Sequence, residues 1–279
     1  MVKSTMEHRE KNNIIRPDMV QMLMEAKKGK LIHEESTSKN ADAGFAAVEE
    51  SSIGKTTVNK EWSDDDITAQ AVGFIIAGFE AVASTMSFLL HELALNPEVQ
   101  EKLYQEIMEN DAKNDGQFDY NSIQNMTYLD MVLSEVLRLW PAAVQTDRRC
   151  MKDYNCGKAN ANAKDFILRK DELVTIPIWS IHRDPDYFPN PDKFDPERFS
   201  DENKHNIHPY SYMPFGLGPR NCIGSRFALC EVKVIAYQLL KHMKLSPAEK
   251  TQIPARLATD TFNMKMKGGH WVRLTPRKL

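Results

Sequence analysis

The sequence predicts a mainly α-helical fold with a small β part, on three observations. Apolar residues recur at the helical period in five segments, 16–28, 63–95, 98–110, 129–139 and 225–242. The helical period lapses after Pro141, where short apolar runs predict strands. The composition, 42% hydrophobic over 279 residues with a net charge of −3, excludes a disordered chain and allows one large core.

The N-terminal part of the chain is polar. Residues 1–13 are charged and lack the apolar core of a secretory signal or a start-transfer segment. The first predicted helix, 16–28, has Pro17 in its first turn and an apolar face. Residues 30–61 are rich in Ser, Thr, Asn, Lys and Glu without a sustained period, which predicts a long polar surface loop.

The predicted helix 63–95 is the longest element. Ser63 is an N-cap followed by three acidic residues, and Pro97 stops the helix. The segment is apolar enough to be weighed as a membrane span. Glu80 lies near its middle, however, and a carboxylate at a bilayer centre costs about 2.5–3.5 kcal/mol. We therefore expect a buried core helix.

The remaining elements are shorter. Helix 98–110 is amphipathic, and helix 129–139 ends before Pro141. Strands are predicted at 166–168 and 173–179, followed by a loop-rich stretch that is dense in proline and aromatic residues. The last helix covers 225–242, and 261–274 is predicted to form a hairpin that turns at Gly268 and Gly269.

The net charge hides an asymmetry. Residues 220–279 contain 12 Lys and Arg against Glu231, Glu249 and Asp260, a charge of +9, so the other 219 residues carry −12. A basic tail is compatible with a nucleic-acid-binding module. Because its charges alternate with apolar positions and have no interleaved aromatic platform, we favour a solvated helix face or a docking surface for an acidic protein.

Four cysteines without a C-x-x-C pair predict no disulfide framework, and Cys222 differs from the other three. Three glycines and a proline surround it, so a large group can approach the loop. Its position at a helix N-terminus, two residues after Arg220, favours the thiolate. Such a thiolate is a metal or haem ligand, or a nucleophile. No histidine is nominated as the base for a nucleophile and Cys230 is badly placed for zinc, so a single thiolate facing a flat cofactor remains.

Residues 215–224 are similar to the F-x-x-G-x-R-x-C-x-G haem-binding signature of cytochrome P450 monooxygenases. Two upstream segments resemble further signatures of this family, in the right order. The stretch 182–185 is most similar to the insect microsomal, detoxification-type branch. The matching residues are Phe215, Gly218, Arg220, Cys222 and Gly224 of the first signature, Glu135 and Arg138 of an E-x-x-R pair, and Arg198 of a P-E-R-F segment.

The segment 77–81 of the long helix resembles the family motif A/G-G-x-D/E-T. In that motif Ala77 and Gly78 open a groove for dioxygen, and Glu80 belongs to the distal proton path. Ala81 stands where the family has Thr, whose hydroxyl helps deliver protons. Ser84 or Thr85, one turn further on, is a hypothetical route for a water molecule.

The resemblance implies the C-terminal half of the cytochrome P450 fold: a long central helix, the E-x-x-R helix, a meander, the Cys-ligand loop and the helix after it. Residues 1–279 would then form a partial single haem domain that lacks the usual N-terminal half. Cys222 would bind the iron of haem b, Arg220 would pair with a propionate, and Arg198 would join Glu135 and Arg138 in a buried network. Residues 140–146 and the region of Phe262 would border the substrate pocket.

The resemblance implies a haem-thiolate monooxygenase that inserts one oxygen atom of O2 into an apolar small molecule. Electrons would come from NADPH through NADPH-cytochrome P450 reductase, docked on the basic surface. The full-length form is expected on the cytosolic face of the endoplasmic reticulum membrane. No anchor or targeting segment is expected within this chain, and no nucleic-acid partner is expected. The alternatives are a non-catalytic, truncated haem-binding remnant and, resting on the +9 tail alone, a nucleic-acid-binding module.

Overall fold

The structure is a computed structural model that describes residues 1–28, 44–48, 62–117, 119–260 and 264–277. It is mainly helical with small sheets, which confirms the predicted fold class. Most of the predicted surface loop 30–61 lies outside the described residues. Its described part, 44–48, is a turn in which Phe45 packs against Phe199 at 5.1 Å between ring centroids and Ala46 is buried.

The five predicted helices are all present, and the structure adds three that the sequence did not indicate: the first, the fifth and the seventh in chain order. Short 3-10 turns occur at Pro196–Phe199, Lys204–Asn206 and Gly218–Arg220. The helices are α1 Val2–Asn12, α2 Met19–Lys27, α3 Asp64–Leu95, α4 Pro97–Lys113, α5 Tyr120–Gln124, α6 Thr127–Leu139, α7 Ile178–Ile181 and α8 Ser225–His242.

The described strands form three two-stranded antiparallel sheets, which pair β1 with β4, β2 with β3 and β5 with β6. The second predicted strand, 173–179, ends earlier than expected because Pro177 cannot continue the ladder, and α7 follows it directly. The strands are β1 Thr146–Arg149, β2 Tyr154–Lys158, β3 Asp165–Leu168, β4 Leu173–Ile176, β5 Met243–Pro247 and β6 Val272–Pro276.

The predicted tail hairpin is wrong in its pairing. The turn at Gly268 and Gly269 is present, with φ angles of +80° and +91°. The strand after it, β6, pairs with β5 from Met243↔Pro276 to Pro247↔Val272 instead of with the residues before the turn. The end of α8 leads directly into β5 and offers a longer ladder than the single bridge between Leu257 and Met266.

The main core lies between the C-terminal half of α3 and helices α4, α6 and α8. Its fully buried residues include Phe88 and Leu89 of α3, Val132 and Val136 of α6, and Ala236 of α8. A second, smaller cluster joins α1 and α2 to the start of α3. Burial of this apolar surface is the main favourable term in folding.

Helix α3 is a buried core helix only at its two ends, which corrects the prediction. Ile67 and Ala71 are buried against α1 and α2, and Val82 onward packs in the main core. The turns between them are exposed, with Ile76 at 64% and Phe79 at 74%. By length and composition α3 could cross a membrane, with a mean hydropathy of 1.7 over its most apolar window. Only 28% of that window is buried, because the described residues do not pack against its middle turns.

A side chain from a neighbouring helix caps α6. Glu106 of α4 accepts the backbone N–H groups of Tyr128 at 2.7 Å and Leu129 at 2.9 Å, two of the donors that an isolated helix leaves unpaired. Burial raises the pKa of Glu106, and these backbone donors oppose the rise. The cap fixes the start of the helix that carries Glu135 and Arg138.

Candidate haem-binding site

The loop that carries Cys222 is closed by backbone hydrogen bonds. The N–H of Gly216 donates to the carbonyl of Met213 at 3.0 Å, and the N–H of Cys222 donates to the carbonyl of Phe215 at 2.8 Å. Gly216 and Gly218 have φ angles of +70° and +76°, in the left-handed region that glycine adopts without steric cost. These backbone bonds fix the path of the loop, and the side chains of Arg220 and Cys222 are exposed on it.

Cys222 has both apolar and basic exposed neighbours in the sequence. Cys222 itself is a free, exposed cysteine, and Arg220 is exposed two residues before it. Ile223 is 76% exposed and Phe227, in the first turn of α8, is 74% exposed. Large apolar side chains as exposed as these suit contact with a bound apolar group.

The glycines of the two predicted motifs have open space where a side chain would be. A Cβ atom built on Gly78, Gly218 or Gly224 meets no heavy atom within 4 Å among the described residues. Ala77 and Gly78 lie on the exposed middle turns of α3. Both motifs therefore leave room for a large group to approach the backbone closely.

The structure brings Glu135, Arg138 and Arg198 together. Arg138 donates to both carboxylate oxygens of Glu135, from Nε at 2.6 Å and from Nη2 at 2.9 Å, and both side chains are 0% exposed. Arg198 Nε lies 3.4 Å from Oε1 of Glu135, which also accepts the N–H of Asp195 at 2.9 Å. Burial raises the pKa of Glu135, and the Arg138 guanidinium opposes the rise.

The network reaches beyond these three residues. Arg138 also donates to the backbone carbonyls of His182 at 2.8 Å and Pro191 at 2.8 Å. One side chain of α6 therefore binds both Glu135 of the same helix and the loop-rich stretch that follows α7. Such bonds to charged groups are stronger than neutral ones. The E-x-x-R pair thus fixes the path of the chain between α7 and the Cys222 loop.

The structure places Glu80 and Ala81 at the boundary between the exposed and the buried parts of α3, both partly exposed. The two hydroxyls considered as substitutes for the missing Thr already donate to carbonyls. Ser84 Oγ donates to Met264 O at 2.8 Å, and Thr85 Oγ1 donates to Ala81 O at 3.0 Å. Both are buried, so neither presents a free donor at Ala81.

A buried polar group that the sequence reading missed lies at the C-terminal half of α3. Trp140 Nε1 donates to Glu92 Oε1 at 2.8 Å, and the Trp140 ring stacks on Phe88 at 4.5 Å. Phe88 also meets the ring of His270 edge-on at 4.9 Å. In the sequence, Glu92 could have been noticed as a carboxylate inside an apolar helix, since such a group needs a hydrogen-bond partner when it is buried. Burial raises the pKa of Glu92.

Three of the basic residues in the +9 tail pair with acids of the upstream chain. Lys233 Nζ is fully buried and lies 2.9 Å from Asp130 Oδ1. In the same way Lys241 lies 2.6 Å from Asp111, and Arg277 lies 3.2 Å from Glu101. These charges serve internal packing, which weakens the case for a nucleic-acid surface.

The residues present fit a haem. Cys222 offers one exposed sulfur donor, and no cluster of three His, Cys, Asp or Glu side chains that would make a different metal site occurs in the part of the chain that the structure describes. Exposed apolar side chains and open glycines suit a flat apolar macrocycle, and Arg220 suits a carboxylate at its edge. Cysteine thiolate is an established haem ligand.

Comparison with known proteins shows which family the chain matches. Residues 2–272 match the family described as Cytochrome P450. The chain is 47% identical to "Cytochrome P450 9e2" of Blattella germanica, over 99% of this chain and 49% of that protein. It is 45% identical to "Probable cytochrome P450 9f2" of Drosophila melanogaster, over 99% and 50%, and 38% identical to "Probable cytochrome P450 6a13" of the same fly, over 98% and 49%.

The chain thus spans about half the length of the curated relatives it matches. The relatives named above are all insect proteins, in agreement with the insect branch that the sequence indicates. A family match over nearly the whole chain, together with the E-x-x-R network and the Cys222 loop, identifies it. The chain belongs to the cytochrome P450 family.

Proposed function

We propose that this chain supplies the haem-thiolate site of a monooxygenase that inserts one oxygen atom from O2 into an apolar small molecule. The observation that carries the proposal is the exposed, free Cys222 on a loop closed by its own backbone and flanked by apolar side chains. When bound, the haem supplies the activation of dioxygen.

Cys222 would bind the iron through Sγ. The hydrogen bond from its N–H to Phe215 O fixes the backbone that carries this sulfur. Arg220 would pair with a haem propionate, because a guanidinium forms two parallel hydrogen bonds with a carboxylate. Ile223 and Phe227 would be covered by the macrocycle, which removes their exposed apolar surface from water.

Helix α3 would form the opposite wall of the site. Ala77 and Gly78 leave space for a small ligand against the helix backbone. Glu80, at the edge of the exposed turns, would hold and pass a proton. Ala81 has no hydroxyl to hold a water molecule there, so we expect proton delivery to be less controlled than with the Thr of the family motif.

The partners follow from this chemistry. The exposed apolar residues of α3, including Phe74, Ile76 and Phe79, favour an apolar substrate. Arg226 and Lys244 are exposed basic residues after Cys222 and suit docking of an acidic protein, here NADPH-cytochrome P450 reductase. By analogy with its family, the full-length protein would work at the cytosolic face of the endoplasmic reticulum membrane in xenobiotic metabolism.

The activity is tested by turnover under 18O2. The haem-loaded chain is supplied with NADPH, an insect reductase and a panel of apolar compounds, and the products are analysed by mass spectrometry. One 18O atom per product molecule, lost in Cys222→Ser and retained in Cys156→Ser, is the expected result. Products without 18O would contradict a monooxygenase.

A second candidate is a haem-binding chain without catalytic turnover. Ala81 and the large exposed apolar area of α3 favour it. This candidate predicts Cys222-dependent haem binding without an oxygenated product, with any NADPH and O2 that are consumed recovered as hydrogen peroxide. The same 18O2 experiment therefore separates the two, because it measures product and oxygen consumption together.

A further inference from the structure

We propose that His182 is a positioning residue for the Cys222 loop, and that it transmits the position of α6 to the sulfur that binds iron. The inference rests on the proposed haem-thiolate function. It concerns a residue outside the haem-binding, E-x-x-R, P-E-R-F and long-helix signatures, and one for which the sequence predicted no role at the site. His182 lies directly after α7 and is 0% exposed.

The two ring nitrogens of His182 contact different parts of the chain. Nδ1 lies 3.1 Å from the carbonyl oxygen of Arg138, and Nε2 lies 2.9 Å from the backbone N of Met213. A carbonyl can only accept and a backbone N–H can only donate, so the ring must carry its proton on Nδ1 and accept at Nε2. One neutral tautomer therefore satisfies both bonds.

The ring is held on several sides. The guanidinium of Arg138 donates to the carbonyl of His182 at 2.8 Å. The ring stacks on Tyr212 at 5.4 Å between centroids, and the Tyr212 hydroxyl donates to Ser134 O of α6 at 2.9 Å. Burial lowers the pKa of His182 to about 4, which keeps the neutral ring at ordinary pH. Residues 212 and 213 are thus both bound to α6, one through a hydroxyl and one through His182.

Two further hydrogen bonds connect Met213 to Cys222. The carbonyl of Met213 accepts the N–H of Gly216 at 3.0 Å, and the carbonyl of Phe215 accepts the N–H of Cys222 at 2.8 Å. The path from Arg138 to Cys222 therefore consists of short bonds between buried or backbone groups. Loss of the bond at Met213 would release the start of the loop while leaving the ion pair of Arg138 with Glu135 in place.

Two substitutions separate positioning from simple filling of space. In His182→Gln the amide oxygen lies where Nε2 was and can still accept from Met213. In His182→Asn the shorter amide reaches only the position of Nδ1, so it keeps the contact with Arg138 and loses Met213. His205→Asn, at an exposed residue, is the control for loss of an imidazole.

The first measurement needs no haem. Amide hydrogen exchange of Met213 and Cys222 is followed in the 279-residue chain by NMR. We expect exchange at both amides to be at least about tenfold faster in His182→Asn, and near wild type in His182→Gln and His205→Asn. Unchanged exchange in His182→Asn, or equal acceleration in the Gln and Asn variants, would overturn the proposal.

The second measurement uses the haem-loaded chain, reduced and saturated with carbon monoxide. We expect His182→Asn to lose at least half of the red-shifted band of the thiolate-bound form, while His182→Gln keeps most of it. Retention of the full band in His182→Asn would also overturn the proposal. If the wild-type chain gives no band that depends on Cys222, the proposed function fails instead, and the exchange rates still decide whether His182 holds the loop.

Discussion

The backbone N–H of Cys222 donates to the carbonyl of Phe215 at 2.8 Å, and this backbone bond closes the loop from Phe215 to Cys222. The geometry of the sulfur is therefore set by backbone conformation and by what holds Phe215. Upstream, Met213 is bound to His182, and His182 to α6. The Cys222 loop is thus bound to α6 through His182, while Cys222 itself is exposed to solvent.

Open space at Gly78 leads to a prediction that separates helix stability from ligand binding. Gly78→Ala should raise the free energy of unfolding of the haem-free chain by about 1 kcal/mol, because alanine is the better helix former and its methyl group meets no atom within 4 Å. Gly73→Ala, in the same helix and equally unhindered, should give a similar gain. Urea denaturation measures both.

Only the first of these two substitutions should affect ligands. In the haem-loaded chain, Gly78→Ala should weaken carbon monoxide binding several-fold, since the added methyl group fills the proposed groove, whereas Gly73→Ala should leave it unchanged. Equal affinities in the two variants would contradict a role of Gly78 in the groove.

The buried pair of Glu135 and Arg138 should be far more sensitive to substitution than an exposed pair. Glu135→Gln leaves two guanidinium groups facing an uncharged amide, and should lower the free energy of unfolding by about 3–5 kcal/mol. Asp201→Asn disrupts an exposed pair with Lys204 and should cost less than about 1 kcal/mol. A loss in Glu135→Gln no larger than in Asp201→Asn, measured by urea denaturation, would contradict this reading.

Buried histidines should make the chain less stable in mild acid. Burial lowers the pKa of His91 to about 4, and the same holds for His182. The unfolded chain binds these protons near pH 6.5 and the folded chain only near pH 4. Above pH 6.5 these histidines therefore do not lower the free energy of unfolding. As the pH falls towards 4 they lower it increasingly, by about 3 kcal/mol per imidazole at most.

Buried glutamates with raised pKa values, such as Glu92 and Glu135, stabilise the folded chain as the pH falls, opposite to the histidines. Because this contribution is present in both wild type and His91→Leu, comparing the two isolates the contribution of His91. Within the described residues, Nδ1 of His91 has no hydrogen-bond partner, so little is lost at neutral pH by removing it. Relative to wild type, the variant should gain stability between pH 7 and pH 4.5. His205→Gln, at an exposed site, should not. Parallel stability profiles for His91→Leu and wild type would show that His91 does not titrate as described.

Ala81→Thr should improve the use of reducing equivalents. The new hydroxyl would restore the donor of the family motif at a partly exposed position of α3, where Ser84 and Thr85 are already engaged with carbonyls. We expect less hydrogen peroxide released per NADPH consumed. Ala83→Thr, on an exposed position of the same helix, is the control. Unchanged peroxide release in Ala81→Thr would show that the hydroxyl is dispensable in this chain.

Local signals in the sequence predict much of the fold. The N-cap Ser63 accepts from Asp66 as a capping box, and Pro97 begins α4 directly after Asn96. Such boundaries depend on residues a few positions apart, so sequence reading finds them. The motif around Cys222 is equally local, which is why the loop and the start of α8 could be predicted to the residue.

Contacts between distant segments could not be predicted in the same way. The pairing of β6 with β5, the bond from Trp140 to Glu92 and the pair of Lys233 with Asp130 each join residues far apart in sequence. The exposure of the middle of α3 depends on what packs against it, which an apolar pattern does not reveal. His182 shows the same limit, because its two partners lie in different segments of the chain.

The identity of the iron-binding sulfur is tested most directly by the carbon monoxide difference spectrum of the reduced, haem-loaded chain. Wild type should give the red-shifted band of a thiolate-bound haem, and Cys156→Ser, which removes another exposed free cysteine, should give the same band. Cys222→Ser should abolish it. A wild-type spectrum without that band, or a band that persists in Cys222→Ser, would contradict the assignment of Cys222 as the haem ligand.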